Sequence, residues 1–355
     1  MDADIRWLER QERQGRPQRP ERTDAGSRRV SMADVAAAAA VSGQTVSRVV
    51  NGSPRVDPDT RARVEAAMDR LGYRPHRAAR ALRTGRSHTI GLVASTLATV
   101  GNSRMLQAVA DAAAPRGYAV MVVTLGPAGD IAAAFEQLRD QGVDGAVVLN
   151  EATDLARDST APRDVRLVVV DSPPDARFDI VEVDHAGGAR AAVAHLLSLG
   201  HPSVHHLAGP PASFAAAERA RGWREALATA GVAAPSPLSG DWSAASGYAA
   251  GERLARDPAV TAVFAANDQM ALGVLRALAD AGRSVPGDVS VVGFDDIADA
   301  ADYRPPLTTV RQDFDVLGER AVAALVSGIE DAVEPRLQQI PVRLILRAST
   351  APAPR

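Results

Sequence analysis

Two kinds of apolar pattern divide the chain, and the change between them comes near residue 88. Over residues 30–74 the apolar positions recur at helical spacing. Ser31 followed three residues later by Asp34 forms a capping box and predicts a helix of about Met32 to Ala39, with Val35 and the alanines facing inward. Ser42 caps a second predicted helix of about Gly43 to Asn51. There Val46, Val49 and Val50 make an apolar stripe, while Gln44, Thr45, Ser47 and Arg48 lie on other faces. Asp57 as cap, Pro58 at the first helical position and Gly72 past the end bracket a third helix, whose Val64, Ala67, Met68 and Leu71 can pack on the first two. This is the spacing of an all-α helix-turn-helix unit.

From Thr89 onward the pattern becomes continuous apolar runs separated by amphipathic stretches. The runs include Thr89 to Ala94, Ala119 to Thr124, Gly145 to Leu149, Leu167 to Val170, Val204 to Ala208, Ala262 to Ala265 and Val289 to Val292. Such runs predict parallel strands alternating with helices in an α/β architecture, and the length accommodates two sheets. Residues 1–29 show neither pattern and are too polar to offset their ordering entropy, so they are expected to be a disordered arm. The segment from His76 to Arg83 has helix-forming residues but is too short to be a stable helix in water by itself.

Charge sharpens this division. The formal net charge is -3, yet residues 30 to 86 hold ten arginines against five acids, and residues 1 to 29 hold eight against six. The part from residue 87 onward therefore carries -10. A basic head on an acidic body fits a nucleic-acid-binding module attached to one that does not bind nucleic acid. In a helix-turn-helix the second helix enters the major groove. Gln44 and Arg48 suit base edges there, and Ser42, Thr45, Ser47 and Asn51 suit phosphates.

Composition removes several chemistries. With no cysteine, the chain has no disulfide framework, thiolate metal site or cysteine nucleophile. No window approaches the ~18 consecutive apolar residues of a membrane-spanning helix, and the charged first thirty residues contain no signal-like apolar stretch, so a cytoplasmic location is expected. No G-x-G-x-x-G, P-loop or G-x-S-x-G stands at a strand-to-helix turn. The five histidines from His185 to His206 form no ligand cluster and read as ordinary core or surface residues; no cofactor or metal is expected.

Polar residues at strand ends carry more information, because ligands of open α/β sheets bind beyond the carboxyl ends of the strands. Asp171 ends one run, Asn267 and Asp268 another, and Asp295 and Asp296 a third, while Gln312 and Phe314 follow the next extended run. With Trp242 and Arg219 these supply carboxylates, amides, a forked donor and a flat apolar face. A polyol needs that set, since hydroxyls donate and accept while a C–H face stacks. Taken singly, Asp171 or Asp295 is more often a helix cap.

The run Val41-Ser42-Gly43-Gln44-Thr45-Val46-Ser47-Arg48-Val49-Val50-Asn51, continued by Val64-Glu65-Ala66-Ala67-Met68 and Tyr73-Arg74-Pro75, resembles the recognition helix and following helix of the lac repressor family of bacterial transcription regulators. Asp241-Trp242-Ser243-Ala244, Ala266 to Gly273, Val291 to Asp296 and Pro305 to Phe314 are similar to that family's core, so the likeness spans roughly residues 30 to 350. It implies an all-α helix-turn-helix head plus an α/β periplasmic-binding-protein-like core of two parallel-sheet lobes. The implied divisions are an arm at 1–29, the DNA-binding domain at 30–75, a hinge helix or linker at 76–87, a core at 88–350 and a tail at 351–355. Lobe 1 would take about 88–183 and 313–341, and lobe 2 about 184–312 and 342–350.

The resemblance further implies a sequence-specific repressor, not an enzyme, whose affinity for double-stranded operator DNA is lowered by a sugar, a galactoside first and another sugar as the alternative. Carried over by motif, the DNA-binding residues are Ser42, Gln44, Thr45, Ser47, Arg48 and Asn51, with Arg77 and a minor-groove wedge at Leu82 in the hinge. The effector-binding residues are Ser95, Asp171, Arg219, Trp242, Asn267, Asp295, Gln312 and Phe314. Two departures stand out: Gly43 occupies a place where a bulky base-reading tyrosine occurs in the family, and Leu149 one where an asparagine occurs, with Asn150 next to it. A homodimer is expected, because the sequence ends at Arg355 without a leucine-heptad segment. Two other functions stay open at this level: a transport-type sugar-binding protein, and a sugar-processing enzyme using Asp241, Asp295 or Asp296 as acid and base.

Overall fold

The computed structural model describes residues 30–74, 85–126, 129–149, 152–158, 165–331 and 336–354. The expected arm at 1–29 and the hinge residues Arg77 and Leu82 lie outside these, as does Asn150.

In the head, helices α1 (Met32–Ala39), α2 (Gly43–Val50) and α3 (Pro58–Leu71) follow the expected caps. Ser31 and Asp34 exchange the two bonds of a capping box, at 3.3 Å and 2.8 Å. The Thr45 amide donates to the Ser42 hydroxyl at 3.1 Å, and the Thr60 amide to the Asp57 carboxylate at 3.0 Å. Val35, Val46, Val49, Val64 and Tyr73 close a small core. Each cap satisfies a helix-end amide that water would otherwise have to solvate, which lets helices of only eight residues persist once this core holds them.

The second unit contains two six-stranded sheets. Sheet 1 runs in the order β11-β5-β4-β3-β1-β2. Its strands are β1 (Thr89–Ala94), β2 (Ala119–Thr124), β3 (Gly145–Leu149), β4 (Arg166–Val170), β5 (Asp179–Val183) and β11 (Leu337–Ile340), all paired in parallel. Sheet 2 runs β12-β10-β9-β8-β6-β7. Its strands are β6 (His205–Ala208), β7 (Leu238–Ser239), β8 (Ala262–Ala265), β9 (Ser290–Asp295), β10 (Thr308–Arg311) and β12 (Arg343–Ile345). Both lobes are built on parallel sheets as expected, with one antiparallel edge, where β12 pairs with β10. β11 runs toward the carboxyl edge of sheet 1, and the chain enters sheet 2 beside Arg311 at the carboxyl end of β10, so β12 has to run back against its neighbour.

Helices cover both sheets, as buried parallel strands require. α4 (Val100–Ala113), α5 (Ile131–Asp140) and α6 (Ala152–Asp158) precede the first crossing. α7 (His185–Ser198), α8 (Phe214–Thr229), α9 (Ala244–Ala255) and α10 (Asp268–Asp280) belong to the second lobe, and α11 (Phe314–Glu330) returns to the first. The chain therefore passes between lobes three times, after β5, after β10 and after β11. α4 and α11 pack so closely that a Cβ on Gly318 would overlap Ala108. Residues 351–354 form no loose tail: the Ala351 amide donates to Ser290 at 3.0 Å, and the Ala353 amide to the Leu199 carbonyl at 2.9 Å.

Candidate functional site: an interlobe cavity and an exposed helix face

Where the carboxyl ends of the two sheets face each other, a cavity of about 500 Å³, mouth included, opens between the lobes. Asp171, Arg219, Trp242, Asn267, Asp295, Gln312 and Phe314 all line it. Ser95, the eighth expected residue, is half-buried just past β1 and is not among the lining residues. The sequence reading missed Thr99, Gly101, Met105, Ala215 and Leu317, which complete the wall. Met105 and Leu317 carry no signal that separates them from other core residues. Thr99 is the N-cap of α4, and its hydroxyl accepts the Asn102 amide at 3.3 Å.

Backbone strain gathers around this cavity. Asp171, Trp242 and Asp295 have φ of 58°, 73° and 113°, each in a region that costs a non-glycine residue about 1–3 kcal/mol. Each is held by specific bonds. The Val183 amide donates to Asp171 Oδ1 at 3.0 Å. Asn267, the N-cap of α10, accepts from the Met270 amide at 2.9 Å and donates through Nδ2 to the Trp242 carbonyl at 3.0 Å. Gln312 Nε2 donates to Asp295 Oδ1 at 2.7 Å. Glycine at 209 lets the indole lie against the end of β6, since a Cβ there would overlap the Trp242 ring. Neither Asp171 nor Asp295 is a helix cap.

Arg219, 4% exposed, organises the charges. Its Nη1 donates to the Ala266 carbonyl and lies 3.2 Å from Asp295 Oδ1. Its Nε donates to His185 Nδ1 at 3.3 Å, and its guanidinium sits 3.8 Å from the centre of the Phe294 ring and 5.5 Å from that of Trp242. The two cavity carboxylates respond oppositely. Burial pushes Asp295 above the usual carboxylate range, and Arg219 and Gln312 offset only part of that. Burial also acts on Asp171, but His185, the Val183 amide and Arg219 outweigh it and hold this group below its usual range. Behind them Asp268, wholly buried, accepts from the Thr309 hydroxyl at 2.5 Å and the Ile297 amide at 2.9 Å. Its burial and the nearby Asp295 charge keep its pKa well above normal.

One wall of the cavity is therefore apolar and comes from α4 and α11, through Met105, Phe314 and Leu317. The opposite wall offers ionised donors and acceptors around an aromatic plate. Leu149 is wholly buried in the same apolar cluster as Met105, Phe314 and Leu317 and does not line the cavity. Of the aspartates considered as an acid/base pair, Asp241 bonds Ser243 beside it, at 2.5 Å, and Asp296 sits between Arg311 and Arg347 at 2.5 Å and 2.6 Å. Only Asp295 of the three reaches the cavity.

In the head, Gln44 and Arg48 stand one turn apart on the exposed face of α2. Ser42 and Asn51 are occupied locally: Ser42 caps α2 and lies 2.9 Å from the Thr45 hydroxyl, and Asn51 Nδ2 donates to the Ser47 carbonyl at 2.6 Å. A side chain at Gly43 would meet no atom within 4 Å. Among the described residues no helix is long and apolar enough to cross a membrane.

Residues 31–76 match the family description "Bacterial regulatory proteins, lacI family", and residues 193–350 match "Periplasmic binding protein-like domain". The chain is 37% identical over 327 residues to the lactose operon repressor of Escherichia coli (strain K12), an alignment covering 90% of this chain and 91% of the relative. It is similar to the crystal structure of the lac repressor dimer bound to operator and the anti-inducer ONPF, with a TM-score of 0.82 and 37% identity over 91% of this chain and 99% of the other. It is also similar to the transcriptional regulator CelR in complex with cellobiose, with a TM-score of 0.68 and 34% identity over 90% and 100% of the two chains.

Proposed function

Since the chain belongs to the lacI family of bacterial regulatory proteins, we propose that it is a homodimeric, sequence-specific repressor that binds operator DNA in the cytoplasm and releases it on binding a galactoside. It acts by binding and not by turnover. The observation that carries the effector half is the convergence of Asp171, Arg219, Trp242, Asn267, Asp295, Gln312 and Phe314 on one interlobe cavity. Trp242 offers a stacking face for the sugar's C–H side. Asp171, Asp295 and Arg219, already buried within one hydrogen-bonded network, accept and donate to hydroxyls with little further desolvation. For DNA, Gln44 and Arg48 read base edges, Thr45 and Ser47 contact phosphates, and Ser42 and Asn51 fix the helix they sit on. Hinge residues Arg77 and Leu82 supply the minor-groove contact.

The lobes are the two-state element. A sugar shifts the equilibrium only by binding one lobe arrangement better than the other; a coupling on the order of 1–3 kcal/mol is typical. A second effector class is favoured by one observation: the chain is 34% identical to a regulator solved in complex with cellobiose. A β-glucoside of the cellobiose kind is the natural competitor, given the likeness to CelR. The test is operator binding by the purified protein, with DNA from its own upstream region, titrated with lactose, allolactose, galactose and cellobiose. Release by a galactoside supports the proposal. Release by cellobiose alone retains the repressor and replaces the effector, whereas failure to bind any upstream DNA overturns the repressor itself.

A further inference from the structure

We propose that His185 is a positioning residue of the effector cavity: its imidazole, protonated on Nε2, keeps the Arg219 guanidinium of one lobe in register with the Asp171 carboxylate of the other. The inference rests on the effector reading above, and it concerns a residue that does not itself line the cavity.

His185 is the first residue of α7, directly after the first crossing between lobes, and is 1% exposed. Its Nδ1 accepts the Arg219 Nε proton at 3.3 Å. A guanidinium only donates, so Nδ1 must present a lone pair, and a neutral ring then carries its proton on Nε2. That proton faces Asp171 Oδ1, 3.0 Å away, at an angle short of a well-aligned hydrogen bond, and it has no other acceptor. The ring centre lies 5.8 Å from that of Phe294, the same ring that carries the Arg219 guanidinium. Asp184 caps α7 through the Gly187 amide at 2.8 Å and so fixes where the ring starts. Asp295 on β9 and Glu182 on β5 complete the charges that act on His185.

The consequence is a chain of contacts running Asp171, His185, Arg219, Asp295, Gln312. Its first member lies at the end of β4 in lobe 1, and Arg219 and Asp295 lie in lobe 2. A sugar bridging Asp171 and Arg219 needs their separation set to within about half an ångström, and neither touches the other directly to set it. Glutamine at 185 keeps one acceptor and one donor on a short flat group. Leucine keeps the bulk and removes both.

The experiment uses full-length protein with 15N-labelled histidine, as wild type, His185→Gln and His185→Leu, with galactose, lactose and allolactose as probes. In sugar-free wild type the His185 ring should show a bare Nδ1 and a protonated Nε2. Galactoside affinity should fall about tenfold or more in His185→Leu. His185→Gln should recover to within about threefold of wild type, a rescue that a purely steric role would not produce. A proton on Nδ1, or equal affinities for all three proteins, or equal loss in both variants, overturns the proposal. If wild type binds none of the three sugars, the galactoside reading falls by itself. The positioning role is then decided without sugar: Asp171→Asn should move the Nε2 resonance and Arg219→Lys the Nδ1 resonance, and the absence of both shifts overturns it.

Discussion

The exposed face of α2 and the interlobe cavity solve opposite problems with the same few residue types. On α2, Gln44 and Arg48 are solvated, on a regular helix whose only special requirement is the Ser42 cap. In the cavity, an arginine and two aspartates are nine-tenths buried or more, on backbone that is strained at three lining positions. A surface that reads a polyanion can leave its side chains in water and rely on the ligand's charge. A buried sensor for a neutral polyol must bring its own counter-charges, because each unpaired ion would cost several kcal/mol. Function is thus nearly independent of stability in the head and inseparable from it in the core.

The largest effect that would break this contrast is expected at Arg219. Arg219→Ala leaves Asp295 and Asp171 buried without their common cation and should destabilise the core by about 3–5 kcal/mol, read as a fall in denaturant midpoint. A midpoint within error of wild type would mean that the network is not what holds the lobes. Acid gives the next largest effect. His206 lies wholly buried, stacked on Phe264 and donating through Nδ1 to the Phe264 carbonyl at 3.0 Å, and burial lowers its pKa to about 4. Because the folded value lies below the unfolded value of about 6.5, this group's contribution is fully present above pH ~6.5 and is lost as pH falls toward 4, by about 3 kcal/mol. His206→Phe should flatten the stability profile in that window.

Arg48→Ala tests the other side of the comparison. Operator binding should weaken by about 1–3 kcal/mol with relaxed preference at one base pair, while thermal stability changes by no more than about 0.5 kcal/mol. A stability loss as large as the affinity loss would erase the distinction between the two regions. The smallest effect is expected at Asp268, where burial penalises the charge. Asp268→Asn should be neutral or slightly stabilising at pH 7. It should also abolish the loss of stability that wild type suffers as pH rises from the unfolded carboxylate value through the raised folded one.

What the sequence made legible follows the range of the forces involved. The head's caps act over three residues, so Ser31 with Asp34, Ser42, and Asp57 with Pro58 could be read in place. The runs for β1, β3 and β8 coincide with the observed strands because each is buried on both faces, whereas β2 was found from its apolar run alone and lies half-exposed at the sheet edge. β7 and β12 are two and three residues long and partly exposed, which leaves no apolar run to find. The cavity's polar residues stood out because a charged group at the end of an apolar run is costly without a reason. His185 did not: its partners Asp171 and Arg219 lie 14 and 34 residues away, and only the first lobe crossing brings them together. Leu149 looked like a lost pocket contact, yet its side chain points into the core cluster of lobe 1.

The tight seam between α4 and α11 has a mechanical consequence. α11 begins with Phe314 and Leu317 on the cavity wall and ends about 26 Å away, where the carbonyls of Ile329 and Glu330 accept from Arg86 at 3.0 Å and 3.4 Å. Since the backbones meet at Gly318 and Ala108 with no space for even a methyl group, the two helices cannot slide or breathe separately. A shift of the wall under Phe314 therefore has to move both helices, and Arg86 is bonded to the far end of one of them.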